Sequence, residues 1–260
     1  MQTFEEQKAF FEDQWPAMRE AASKGGGVAV VQFIESFDDP VQSRVLYAFA
    51  RHGLIQGDWP GRDLDEYIYV SRAGIDRILE QAAAEVDAAK SAKLVDSANV
   101  ISYNLAADLA DCWPPDGLLR RQPHFEAGLH AANDCVRWRD ELDKPAWARS
   151  MAYWAKGMHE LSLGDAPGAE ASWSESLRLA ADNARAEGEE SELGPEAAYG
   201  VVLGSGLLGL AQWSRGGPEG RALYEDAVAA FESQLADQAR KDDAELGLDQ
   251  LRTVHERYIA

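Results

Sequence analysis

The chain has 260 residues, 46% of them apolar or aromatic, which is enough to bury a continuous core in one or two domains. Its 45 acidic residues against 25 basic ones give a formal net charge of −20. That field repels phosphate backbones and anionic lipid, so nucleic acid and membrane surfaces are excluded as first expectations, and a basic partner suits it better.

The start of the chain has neither a basic n-region nor an apolar h-region, and no run nears the ~18 apolar residues of a membrane span. The expectation is a cytoplasmic protein. Thr3 followed by Glu6 forms a capping box for a helix over 3–23, with Phe10, Trp15 and Met18 on its apolar face and a kink at Pro16. Gly25, Gly26 and Gly27 end it. The run 27–33 is β-branched, but a lone strand has nothing to pair with, so helix is the expectation. Asp39-Pro40 opens a helix with Val41, Val45, Leu46 and Phe49 on one stripe, closed at Gly53. After a turn at 57–61, a helix begins at Leu64 with Ile75, Ile78, Leu79 and Ala82 inward. The alanine-rich stretch 81–93 has high helix propensity and reads as an exposed helix.

From Asp96 the pattern becomes more regular. Helices are predicted over 96–113, 123–142, 146–163, 166–184 and 196–214, with a sixth from Glu219 and a covering helix after Asp237. Breakers separate them at Pro114-Pro115, Lys144-Pro145, Gly164-Asp165, the acidic run 187–195 and Gly216-Gly217. Two domains follow, an N-terminal helical region over 1–95 and a repeat region over 96–260.

The helices over 146–184 resemble a tetratricopeptide repeat. Gly157 stands at the small mid-helix position, Gly164-Asp165 at the turn, Ala169 at the small position of the second helix, Trp173 as the aromatic four residues on, then Ser176. Leu208-Gly209, Gly220, Tyr224 and Ala227 repeat the arrangement more weakly, across a Gly216-Gly217 turn that carries one extra residue. The pair at 96–142 is weaker again. Trp173 and Tyr224 lie 51 residues apart in the numbering, against a family period of 34. The resemblance covers about 140 residues and implies an all-α fold, a right-handed α-solenoid of such hairpins with an additional N-terminal helical region. It also implies a concave face that binds a protein or peptide segment without catalysis, with Met151, Trp154, Met158 and Leu161 directed to the groove. The alternative is that this set is ordinary core. The family's basic clamp for a peptide carboxylate is missing.

Asn104, Asp108 and Asp111, at i, i+4 and i+7, share one helical face. They form either an acidic lip that grips a partner's Lys or Arg, or the solvent side of an amphipathic helix. No HExxH, Walker, GxGxxG or GxSxG motif occurs, and Cys112 and Cys135 match no zinc or disulfide pattern. No metal or cofactor is expected. The competing functional readings are an enzyme or small-molecule binder using His124, His130, Asp108, His159 and Glu160 in a pocket between N-terminal helices and repeats, and an acidic regulator that neutralises a basic toxin.

Overall fold

A computed structural model, described for residues 3–260, is all-helical: among the described residues the only β pairing is an isolated bridge between Glu190 and Ala197. The first helix, α1 (Phe4–Glu35), is capped as expected, with Glu6 N donating to Thr3 Oγ1 at 3.2 Å and Thr3 N to the Glu6 carboxylate at 3.2 Å. It runs further than the sequence suggests. Its backbone leaves helical geometry only at Gly25 and Gly26, the latter at φ +60°, and then resumes as helix through the β-branched run. Pro16 stays inside helical φ/ψ, so the glycines and not the proline set the break. The restart is capped from a distance: Glu66 accepts the Gly27 N–H.

Asp39 caps α2 (Pro40–Leu54) by accepting from Val41 N at 2.8 Å, and Asp63 caps α3 (Leu64–Ala84). Val45, Leu46 and Phe49 of α2 and Ile75, Ile78 and Ala82 of α3 are buried. The 81–93 stretch is not one helix. It breaks at 85–87, where Asp87 Oδ1 accepts from Ala89 N (2.9 Å) and Lys90 N (3.1 Å) and starts α4 (Ala88–Leu109). An aspartate that caps the next helix outweighs alanine propensity. Asp96 and Ser97 therefore lie inside α4, and its end at Leu109 precedes the predicted one.

The chain divides into two compact units, one holding residues up to Asp108 with Leu118–Arg120, the other Leu109–Gly117 with Arg121–Ala260. The division falls after residue 108, not after 95. Asp108 at the end of α4 is tied to α2 and α3, which keeps that helix in the first unit. In that unit α1, α2 and α3 pack on one another. Their core is aromatic: Phe11 lies against both Trp15 and Phe49, and Trp15 meets Trp59 edge-on.

The second unit contains α5 (Gln122–Glu141), α6 (Ala146–Ser162), α7 (Ala166–Glu187), α8 (Tyr199–Ser214), α9 (Pro218–Gln234) and α10 (Lys241–Tyr258). Each of α5 to α9 packs on the next in sequence, and α10 packs on both α8 and α9. Trp173 is fully buried, its ring where a Gly157 Cβ would come within 2.5 Å of it, and its Nε1 donates to Trp154 O at 3.1 Å. The α6–α7 and α8–α9 connections are each three residues long, with Gly164 and Gly216 both at φ +84°. The extra residue read into the second turn is not there. The helix α8, rich in glycine, is buried on several sides, and its glycines divide the neighbours among them. Gly204 meets Leu177 of α7, Gly206 meets Leu251 of α10, and Gly209 meets the Gly220 and Tyr224 backbone of α9.

Candidate functional site

The acidic trio does not form a lip. Asp108 is nearly buried, with Arg51 Nε donating to its Oδ2 at 2.9 Å, Arg51 Nη2 to its Oδ1 at 2.5 Å, and Tyr67 OH to its Oδ2 at 2.9 Å. Burial, reinforced by the Asp108 charge, pushes the Tyr67 phenol well above its ordinary pKa, so it stays a donor. Asp111 lies beyond the end of α4. It accepts from Arg257 Nη1 and, at 3.0 Å, from Tyr258 OH. Asn104 is half-buried. The pattern read as a grip on a partner's arginine is a grip on the chain's own arginines. Spacing along one helix could not show this, because α4 ends before Asp111.

The predicted groove is also closed. Trp154 and Met158 are buried, Leu161 likewise, and Met151 is half-buried. Trp113 packs edge-on against Trp154 with ring centres 5.9 Å apart, and Arg257 Nη2 donates to Trp113 O. Tyr258 OH and Ser162 Oγ are 2.8 Å apart. The Leu109–Gly117 segment and the end of α10 thus occupy the face that the repeat register left for a ligand.

The histidines and Glu160 do not assemble a catalytic group. The His159 ring lies where a Gly128 Cβ would fall and near Phe125 of α5, while Glu160 on the other side of α6 accepts from Ser172 Oγ of α7 at 2.6 Å and pairs with Lys156 at 3.6 Å. His124 Nδ1 accepts from Arg121 N at 3.1 Å at the start of α5, and His130 is exposed beside Asp134. Among the described residues no group of three or more His, Cys, Asp or Glu is placed to hold a metal ion. No helix of the described residues is long and apolar enough to cross a membrane.

One open concavity remains on the α6 stripe, one turn before Met151. Trp147, 40% exposed, stands beside a cavity of about 560 Å³ at the ends of α7 and α9 and the beginnings of α6, α8 and α10. Sequence reasoning passed over Trp147, although it shares the 151–154–158 stripe at i−4; it was legible there as the one member of that stripe at a helix start. Three features build the site. Gly188, in a left-handed conformation at φ +74°, ends α7 and turns the chain into the acidic loop. That loop returns through the Glu190–Ala197 bridge, with Ala198 N donating to Glu190 O at 2.9 Å. Gln234, 5% exposed at the end of α9, donates its amide to Pro195 O (3.0 Å) and Ala197 O (2.9 Å), which fixes the loop as the cavity wall.

No family model, curated protein or solved structure matches this chain. What the site does is therefore argued from its own geometry. The concavity has one aromatic wall, Trp147, and polar walls that include Asn183, Glu187, Gln234 and Asp243.

Proposed function

We propose that the second unit is a cytoplasmic, non-enzymatic scaffold, a right-handed α-solenoid of tetratricopeptide-like hairpins that binds a segment of a partner protein at the Trp147 cavity. The observation that carries this reading is an exposed tryptophan beside an unfilled concavity, on a stack whose other concave face is occupied by the chain itself. Large aromatic side chains left part-exposed at a concave rim are the usual anchors of protein interfaces. The Gly157–Trp173 contact and the repeated +84° turns support the hairpin reading. The charge of −20 weighs against nucleic acid and anionic membranes as the partner.

The test is site-specific photocrosslinking in the source cells, with benzoylphenylalanine replacing Asn183 on the cavity wall. The expected result is a discrete protein adduct that disappears when Trp147→Ala is added. Absence of an adduct, or an adduct indifferent to Trp147→Ala, counts against the cavity as the docking point.

A further inference from the structure

We infer that Trp113 is a displaceable lid over a second docking face floored by Trp154, and that it stands in for an aromatic residue of a partner protein. The partner's segment places its ring in the Trp113 seat and a main-chain carbonyl on Trp154 Nε1. This face lies about two turns beyond Trp147 along α6, and does not depend on the Trp147 cavity.

The seat is filled by chain that is not helix. Trp113 is half-buried, and Pro114, Pro115 and Gly117 after it are exposed, whereas Cys112 before it is buried. The root of the segment is core and its tip is not. The last turn of α10 holds the tip from outside. Arg257 Nη2 donates to Trp113 O at 3.3 Å, and Arg257 Nη1 and Tyr258 OH both donate to Asp111. Arg257 and Asp111 keep side-chain exposures of 32% and 22%. Polar ties that water still reaches, made by the end of a helix, open more readily than buried apolar packing.

The floor is not matched to what covers it. Trp154 is 3% exposed, yet its Nε1 has no hydrogen-bond acceptor among the described residues. The buried indoles of Trp59 and Trp173 each have one, Gly53 O at 2.8 Å and Trp154 O at 3.1 Å. A buried N–H without an acceptor is uncommon in a finished core. Trp113 meets Trp154 edge-on with ring centres 5.9 Å apart, which supplies ring contact but leaves that N–H unanswered. A segment free of the lid's tether can supply both the ring contact and the acceptor, and so displace it.

The test is fluorescence anisotropy of the full chain with a labelled, capped peptide of sequence 110–117, serine replacing its cysteine. Trp113→Ala should bind it about ten-fold more tightly than the wild type, because the lid no longer competes for the seat. Arg257→Gln loosens the lid and leaves both rings; it should also bind more tightly than the wild type, and it carries the test if circular dichroism shows Trp113→Ala unfolded. The same peptide with alanine for its tryptophan should bind about ten-fold less tightly. Trp154→3-benzothienylalanine, an isostere without the N–H, should weaken peptide binding about three-fold. Equal affinity in the wild type and the lid variants overturns the inference, as does binding by none of them. So does equal binding of the alanine peptide, or an affinity indifferent to the Trp154 N–H. N-acetyltryptophanamide competing as well as the peptide overturns it too, because the seat then takes any free indole and not a partner's segment.

Discussion

The hairpins α6–α7 and α8–α9 share a turn and differ in how they close. In the first, one glycine makes room for one large ring: Gly157 admits Trp173, which is fully buried and hydrogen-bonded to Trp154 O. In the second, Gly209 lets the Gly220 and Tyr224 backbone approach directly, and the Tyr224 ring is displaced outward, half-buried, to stack on His255 of α10 and lie against Trp213. The same small-residue position thus supports two kinds of packing, one built on a side-chain knob and one on helix backbones in contact. The second leaves the aromatic free to hold the covering helix. That helix, α10, packs on both members of the second hairpin, α8 and α9.

The largest predicted effect follows from this difference. Trp173→Ala removes a fully buried indole and its hydrogen bond to the Trp154 carbonyl, and should cost about 3–5 kcal/mol. Tyr224→Ala, at the matching place in the other hairpin, strips a half-buried ring and should cost less than half as much. Urea denaturation of the two variants decides it. Equal costs would mean that the knob is no more important in one hairpin than in the other, and that the two close alike.

Much of the fold was legible because it rests on local rules. The caps at Thr3 and Asp39, the glycine break within α1 and the Gly157–Trp173 pair all follow from side-chain chemistry within a few residues, or from one helical face meeting one neighbour. The failures have the opposite character. Asp108 looked like a solvent-facing acid because the arginine that claims it, Arg51, lies 57 residues earlier. Asp111 looked like its neighbour because helical spacing was extended past Leu109, and its partners Arg257 and Tyr258 come from the far end of the chain. Met158 and Trp154 were placed correctly on a common stripe. What covers that stripe is an irregular segment, 109–117, whose path no periodicity encodes. Trp147 escaped notice for the same reason: only the return of the acidic loop, pinned by Gln234, turns its surroundings into a cavity.

A smaller effect tests whether the two turns are the same device. Gly164 and Gly216 share φ +84°, and around each a Cβ would meet nothing within 4 Å, so a substitution there is strained by the backbone alone. Gly164→Ala and Gly216→Ala should each cost about 1–2 kcal/mol, the usual penalty of a left-handed conformation for a residue with a Cβ. The double variant should show the sum, because the sites have no shared partner. Chemical denaturation of the three proteins checks it; a cost at one turn only would show that the common angle hides different surroundings.

The smallest effect concerns the residue that closes each first helix. Glu160 O accepts from Asp165 N at 2.8 Å, and Gln212 O accepts from Gly217 N at 3.1 Å, so an acid in one hairpin stands where its amide does in the other. Burial raises the Glu160 pKa above 4.5, against the opposing pull of the Ser172 hydroxyl and of Lys156. The folded chain therefore holds this proton to higher pH than the unfolded chain. Native stability from this group is fullest below the unfolded carboxyl pKa and declines as pH rises through the folded one. Glu160→Gln installs the second hairpin's solution in the first and abolishes that titration. The melting temperature of the variant relative to the wild type should rise between pH 4 and pH 7, by scanning fluorimetry in matched ionic strength. A difference that stays flat or falls with pH would show that Lys156 and Ser172 hold the carboxylate charged, and that the two hairpins diverge in electrostatics as well as in packing.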